Sequence, residues 1–508
     1  MNTGYLITRS AHYFPNRTAF VIDGQPITYG ELNRRVNRLA NAFLGLGLKK
    51  GDRVGLLFHN SLAYLESYLA LYKAGLVWVR LNARLTAAEV RGMLDDSGAA
   101  VLVHGPEFSE AAETIGAGVK WVVQKGKQNR GIGYDEFLGK GSDAEPDVDV
   151  FPEDISDLWY TSGTTGAPKG IILTHRNILT CTQFLLSEVY QIAREDSFLT
   201  AGALSHAGSV RVLPFIIRGA ACYLHSHFDP PKIYAEIEKS KITDLAVVPT
   251  MLVALMDEPT RSRFDFSSLK RITYAGSPMA VKRIKEALEV FGQVLHQAYG
   301  QAESIISITH LPKEEHAWKG NPDLERRLAS TGREFPGVQV RIVDDHDQVL
   351  GPNEVGEVVT RSDLLMRGYW NQPEKTREAL RGGWLYTGDI GYLDEGGYLF
   401  LVDRQNDKII TGGLNVYPRE IEEVLAMHPA VAQVAVFGLK DEYWGDVVTA
   451  AVVMREGHAF TEEQLKVFCK ERLAGYKRPK KIHLVDDLPK NLYGKVMRKD
   501  LKKLFENH

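Results

Sequence analysis

Residues 160–170 read YTSGTTGAPKG, and eight of these eleven are Gly, Ser, Thr or Pro. Most Gly/Ser/Thr clusters between periodic segments are only loops, but this one has the ingredients of a phosphate cradle. Glycines free backbone N–H groups to converge on an anion, Thr161, Ser162, Thr164 and Thr165 add hydroxyls, and Lys169 adds a cation. It is not a Walker A loop: Gly170, not Ser or Thr, follows Lys169, and Pro168 lies inside.

Four further stretches carry groups of chemical interest. YGQAES (299–304) places one carboxylate, Glu303, after a glycine turn. It is either a loop cap or a magnesium ligand facing phosphates, since Mg²⁺ takes one or two carboxylates beside phosphate oxygens. YTGDIG (386–391) presents Asp389 on a tight turn, as an Asx-turn or as an acceptor for a ribose diol. DRQNDKIITGGLNVYPREIE (403–422) holds the pair Gly412-Gly413 and Pro418 as a first helical residue. NLYGKVMRKD (491–500) isolates Lys495 after a glycine, where a charge is commonly only solvated.

Such groups need a scaffold. Apolar and period-2 runs alternate with period-3.6 runs along most of the chain, which predicts an α/β fold of layered subdomains. TYGELNRRVNRLANAF predicts a helix with Leu32, Val36, Leu39 and Phe43 on one face and Thr28 with Glu31 as capping box. LAVVPT (245–250), RITYAG (271–276) and VAVFGL (434–439) predict buried strands, and 139–154 a surface connection. Near DRQNDK (403–408) a hairpin-like pattern gives way to a fresh βα pattern, which predicts a large domain 1–403 and a small α+β domain 404–508.

The 508 residues are 44% hydrophobic and 25% charged with formal net charge −3, which gives nucleic acid no electrostatic hold and predicts more than one domain. Cys181, Cys222 and Cys469 have no CxxC spacing, so neither a disulfide framework nor a zinc site is expected. His225 and His227 have no third ligand nearby in sequence. No apolar h-region opens the chain and no 18-residue apolar run occurs, so a soluble, cytoplasmic protein without a transmembrane segment is expected.

In this order the motifs resemble those of the acyl- and aryl-CoA synthetases of the adenylate-forming superfamily, over essentially the whole chain. The resemblance implies a large N-terminal domain and a small mobile C-terminal domain. It implies ATP, Mg²⁺ and coenzyme A, and a reaction that makes an acyl-adenylate and pyrophosphate before transfer to a thiol. Thr161, Ser162, Gly163, Thr164, Thr165 and Gly166 would wrap the phosphates, with Lys169 on the leaving pyrophosphate. Glu303 and Thr161 would hold Mg²⁺; Gly276, Ser277, Pro278, Gln297, Ala298, Tyr299 and Gly300 would hold adenine; Asp389 and Arg404 would grip the ribose. Lys495 would bridge the substrate carboxylate and the α-phosphate. Domain rotation about a hinge at Asn406 would then bring in Gly412 and Gly413, whose small size lets the pantetheine arm approach. Trp444, Lys477 and Arg478 would meet CoA.

By the same resemblance His206 guards the carboxylate, and Ala207, Gly208, Tyr274 and Ala275 line the acyl pocket. No Asp stands beside His206 to pair an amino group, so uncharged aryl or medium/long-chain acids are expected rather than amino acids. Two departures from the pattern are Asn406, where the family has Asp or Lys, and Ala302, where it commonly has Thr. Transfer to a carrier-protein thiol and a non-catalytic nucleotide-binding protein are the alternatives. A homodimer stays open, because nothing in the sequence decides the oligomeric state.

Overall fold

A computed structural model describes residues 2–126, 131–161, 168–404, 407–411, 414–441, 443–455, 457, 461–490 and 496–506. Two large sheets, helices around them, a five-stranded antiparallel sheet and a C-terminal sheet make up the architecture.

The first large sheet has eight strands. In spatial order they are Gly368–Tyr369, Lys169–Thr174, Ile155–Thr161, Val77–Arg80, Arg53–Leu57, Val101–His104, Trp121–Gln124 and Ile132–Gly133. Its centre is parallel, and Lys169–Thr174 runs antiparallel to both of its neighbours, Gly368–Tyr369 and Ile155–Thr161. The second sheet has nine strands, centred on the parallel neighbours Ala221–Leu224, Ser197–Thr200, Asp244–Val247, Arg271–Ala275 and Leu295–Tyr299. A continuous apolar core runs between helices and both sheets, from Phe20 and Phe43 through Trp78 and Trp159 to Phe215.

Local sequence explains the elements. The helix Tyr29–Gly45 buries the expected Leu32, Val36, Leu39 and Phe43, and Thr28 Oγ1 accepts the Glu31 N–H at 3.2 Å. Only half of the expected capping box forms, because the Glu31 carboxylate turns to Arg34 instead. The strand expected over 245–250 ends at Val247. Pro249 opens the helix Pro249–Asp257, where its fixed φ and missing N–H cost nothing. The strands expected in RITYAG and VAVFGL are Arg271–Ala275 and part of Val431–Asp441.

The third sheet joins Gln339–Val343, Gly356–Arg361, Trp384–Leu393 and Leu380–Arg381, with Leu399–Arg404 hairpinned onto Trp384–Leu393. Arg404 is thus a residue of this sheet, whereas Ile409–Thr411 already belongs to the C-terminal sheet. That last sheet and the helices Pro418–Ala426 and Glu462–Lys470 form a separate core around Ile421, Val436 and Leu465, while the helix Arg498–Glu506 packs Leu501 with Ala435, Phe437 and Ala451 in another cluster. It touches the third sheet through Asp403, which accepts the Arg419 N–H at 2.9 Å and lies 3.5 Å from Arg498.

Candidate active site

The glycine-rich stretch sits between two antiparallel strands. Thr161 and Lys169 are cross-strand partners, so residues 162–167, which lie outside the described residues, join the strands Ile155–Thr161 and Lys169–Thr174. A P-loop joins a strand to a helix; this loop joins strand to strand.

Next to Lys169–Thr174 lies the short strand Gly368–Tyr369, with Tyr369 opposite Ile171. The Lys169 ammonium stands 5.0 Å from the centre of the Tyr369 ring, and the Tyr369 hydroxyl donates to Glu303 Oε1 at 3.0 Å. Burial and the Glu303 charge raise the Tyr369 pKa, so its proton stays on the phenol and points at the carboxylate. The Met366 N–H donates to the Glu303 carbonyl at 2.7 Å, which pins the main chain of this turn as well. Just beyond, Ile305 and Ile306 take φ of +44° and +56°, costly for β-branched residues and typical of loops shaped for a task.

The same loop reaches Asp389. Tyr299 Oη donates to Asp389 Oδ2 at 2.6 Å, Gln301 Nε2 donates to that oxygen at 2.7 Å, and Arg404 Nε lies 3.2 Å from Oδ1. Asp389 is buried, so these three donors replace water around its charge. Burial and the Asp389 charge raise the Tyr299 pKa well above the phenol value and keep it a donor. Five consecutive residues, 299–303, therefore connect the expected ribose carboxylate to the expected metal carboxylate.

Gly276, Ser277 and Pro278 leave the end of Arg271–Ala275, beside Gln297 on the adjacent strand. Gly276 has φ +96°, which a side chain would strain. Tyr274 is fully buried: its hydroxyl is 3.1 Å from both Gln297 Oε1 and His316 Nε2, so its ring serves the core. Ala275 is half-buried and Ala298 is buried.

His206 lies in the wide turn Leu204–Gly208 at φ −125° and ψ −140°. Gly208 is required there, since a Cβ would stand 2.8 Å from the Gly202 carbonyl oxygen. The imidazole pairs with Ser205 Oγ at 2.9 Å and meets Trp159 edge-on at 5.9 Å. Burial, then Arg80 and Arg84, lowers its pKa to about 3, so it is neutral at ordinary pH. The turn is held from below by Arg80, whose Nη1 donates to the His206 carbonyl at 3.2 Å and to Ser209 Oγ at 2.9 Å. Arg80 is itself sandwiched between the rings of Trp78 and Trp159, 4.2 and 4.4 Å from their centres, and ion-paired to Asp157 at 2.7 Å.

In the C-terminal region Asn406, Gly412, Gly413 and Lys495 lie outside the described residues. Trp444 is 40% exposed, with Lys480 Nζ 3.4 Å from its ring centre. Lys477 Nζ is paired to both Glu420 oxygens at 2.7 Å. Arg478 donates to the carbonyls of Leu473 and Lys470 at 2.8 and 3.0 Å, at the end of the helix Glu462–Lys470. Both cations expected to meet CoA are thus engaged within the protein. His225 faces Glu236 at 3.5 Å, and among the described residues no three His, Cys, Asp or Glu are grouped to hold a metal. No helix among the described residues is long and apolar enough to cross a membrane.

Family profiles match this chain twice: "AMP-binding enzyme" over residues 7–370 and "AMP-binding enzyme C-terminal domain" over 420–495. The chain belongs to the AMP-binding enzyme family. A feruloyl-CoA synthase of Amycolatopsis sp. is 36% identical over 98% of each chain. A medium/long-chain-fatty-acid–CoA ligase of Mycobacterium tuberculosis is 34% identical over 99% of this chain and 90% of its own. Among solved structures, the o-succinylbenzoate-CoA synthetase of Bacillus subtilis in complex with its acyl-adenylate intermediate superposes with a TM-score of 0.86. It is 31% identical and covers 98% of this chain and 97% of its own.

The site of this AMP-binding enzyme contains groups that the sequence does not single out. Tyr369 is one, in a GYW stretch with no motif-like spacing to Glu303 or Lys169. Gln301 is another, visible in the sequence only as a neighbour of Glu303. Arg80 and Asp157 are seventy-seven positions apart and become partners only through strand pairing. Ala302, where the family pattern has Thr, packs its methyl against the large core.

Proposed function

We propose that the chain is an ATP-dependent, AMP- and pyrophosphate-forming carboxylic acid–CoA ligase acting on an aryl or medium/long-chain acid. The observation that carries this reading is the 299–303 loop, which binds Asp389 through Tyr299 and Gln301 and presents Glu303 to Tyr369 beside Lys169. A ribose-gripping carboxylate and a phosphate-side carboxylate on one short loop suit a nucleoside triphosphate laid across it.

Glu303 fits Mg²⁺. Oε1 takes the Tyr369 hydroxyl, while Oε2 has no hydrogen-bond partner among the described residues and is a hard oxygen of the kind Mg²⁺ prefers. Glu303 with the Thr161 hydroxyl would hold the ion, which supplies neutralisation of phosphate charge when bound. Lys169 and the 162–166 amides and hydroxyls draw the β- and γ-phosphates away from the α-phosphorus. Lys495 would offset the repulsion of anion by anion between the acid carboxylate and the α-phosphate. Gly276 to Pro278, with Gln297 to Gly300, hold the adenine, and Asp389 with Arg404 the ribose hydroxyls. Neutral His206 stands at the acid's carboxylate, and Ala207, Gly208 and Ala275 bound its chain. Residues 404–508 then rotate about Asn406 so that Gly412 and Gly413 admit the CoA thiol, with Trp444 at the CoA adenine.

Pyrophosphate and thioester are measured together on a panel of aryl and fatty acids, with and without CoA. Expected is stoichiometric AMP, pyrophosphate and acyl-CoA for at least one acid. Pyrophosphate release with thioester formed only on a carrier protein moves the activity to the carrier-dependent alternative. Absence of pyrophosphate with every acid overturns the reading.

A further inference from the structure

Arg211 holds a buried positive charge for which the protein provides no anion. The residue is 4% exposed, and its one hydrogen bond among the described residues runs from Nη1 to Tyr190 Oη at 3.3 Å. It makes no ion pair among them either. The buried carboxylates Asp157 and Asp244 belong to Arg80 and Arg271, each at 2.7 Å. Glu188, one-third exposed, lies 3.7 Å from His310 Nε2. A buried charge left without a partner destabilises a fold. Groups kept in spite of that cost cluster where a charged ligand completes them.

The position of Arg211 says which ligand. It ends the helix Ser209–Arg211, which continues directly from the turn Leu204–Gly208 that carries His206. Arg80 fixes both pieces, donating to the His206 carbonyl and to Ser209 Oγ. The residue at the acid's carboxylate and the unpaired cation thus share one braced segment.

Further donors without acceptors surround Tyr190 and the strands beside it. The Arg271 guanidinium carbon is 5.7 Å from the Tyr190 ring centre, and Arg271 Nη2 is buried without a partner. His296 Nε2 is also buried without one. Burial, then His310, His316 and the charges of Arg271 and Arg211, holds the His296 pKa well below its ordinary value and keeps the ring neutral. Arg271 and His296 lie at the starts of the strands Arg271–Ala275 and Leu295–Tyr299, whose far ends lead to Gly276 and the 299–303 loop. From His296 to Tyr299 is three residues, or ~10 Å along the strand.

We propose that the acid carries a second carboxylate, remote from the reacting one, and that Arg211 binds it. The inference rests on the ligase reading above and narrows its acid to a dicarboxylic one, in place of the uncharged chain expected from the sequence. Arg211 Nε and Nη2, which have no acceptor among the described residues, form the planar fork that matches two carboxylate oxygens.

Pyrophosphate release is measured on wild type and Arg211→Met with two pairs of acids, 4-carboxycinnamate with 4-isopropylcinnamate and suberate with octanoate. Wild type should favour the diacid in at least one pair, and the variant should lose that preference by about ten- to a hundredfold, the scale of a charge-assisted pair. Without ligand, Arg211→Met should melt at or above the wild-type temperature, because an unpaired buried charge is gone; a purely structural arginine would lower it. A variant that melts lower, or a diacid preference absent from wild type or kept by the variant, overturns the proposal. If no acid releases pyrophosphate, the ligase reading falls by itself. Arg211 is then judged by whether either diacid raises the melting temperature of wild type but not of Arg211→Met, and no such difference overturns the site as well.

Discussion

Asp389 and Arg404 face each other across the pair Trp384–Leu393 and Leu399–Arg404, with Arg404 Nε 3.2 Å from Asp389 Oδ1. Arg404 is 43% exposed in its side chain and Asp389 only 8%, so the exposed partner is free to turn to a ligand while the buried one stays. Arg404 is also the last residue of the third sheet before the chain enters the C-terminal sheet. The proposed ribose grip therefore sits at the passage between the two portions of the chain.

Asp389→Asn keeps the shape but removes the charge that Tyr299, Gln301 and Arg404 address. The KM for ATP should rise about ten- to a hundredfold, the scale of a charge-assisted hydrogen bond to ligand. Initial-rate kinetics against ATP measure it, and an unchanged KM removes Asp389 from the ribose.

Tyr369→Phe deletes only the hydroxyl on Glu303 Oε1 and leaves the ring under Lys169. A partner that orients a metal-binding carboxylate commonly matters about ten- to a hundredfold. The magnesium concentration for half-maximal pyrophosphate release should therefore rise, with the KM for the acid little changed. Equal damage to both would mean that the hydroxyl only supports the fold.

Lys495→Ala separates the two half-reactions. Acyl-adenylate formation should slow by about 10²–10³, the cost of one electrostatic partner in the transition state. With ready-made acyl-adenylate and CoA, thioester should form at close to the wild-type rate. Single-turnover assays of each half provide the readout, and similar losses in both would sink the domain-rotation reading.

Arg80→Met leaves Asp157 buried without its cation, with Tyr72 and Ser156 alone among the described residues still donating to it. Removing one member of a buried pair costs about 3–5 kcal/mol. Urea unfolding should register this, and Arg80→Met with Asp157→Asn together should recover part of it. Because Arg80 also holds the His206 carbonyl, the double variant should regain stability without regaining activity to the same degree.

Buried imidazoles should weaken the fold as the pH falls. His175, His310 and His316 have pKa values lowered to about 4, each chiefly by burial. Between about pH 6.5 and 4 the unfolded chain binds protons there that the folded chain refuses, so stability rises with pH in this window and levels off above about 7. Each contributes a slope of up to about 1.4 kcal/mol per pH unit. Chemical unfolding at about pH 5, 6 and 7.5 should show that fall on acidification; a flat profile would mean that these imidazoles titrate normally in the fold.

Much is legible in the order of residues alone. The α/β class, the helix Tyr29–Gly45 with its buried face, and the strands around 271–275 and 434–439 follow from short-range periodicity, which the backbone obeys because side-chain direction repeats every 3.6 or 2 residues. Glu303, Asp389 and Lys169 stand out through the order of the motifs that carry them, since each alone has an ordinary loop reading. Membership of the AMP-binding enzymes is likewise carried by the order of local motifs.

What the sequence cannot express is which of those local features meet. Tyr369 reaches both Lys169 and Glu303 because a two-residue strand adds to the edge of a sheet whose other strands all lie within residues 53–174. Pro249 ends a strand that hydrophobicity alone extends through it, and Glu31 leaves its capping box for Arg34, both decided by competing local bonds. The hydroxyl of Tyr274, expected at the acyl pocket, stands 3.1 Å from His316 Nε2, forty-two positions away, on a strand buried on both faces. Arg80 and Asp157 become a charged pair between two tryptophans only once parallel strands are in register. Local pattern determines elements and turn chemistry, because those energies act within a few residues; sheet order and register decide contacts, because they depend on how distant apolar faces are buried together.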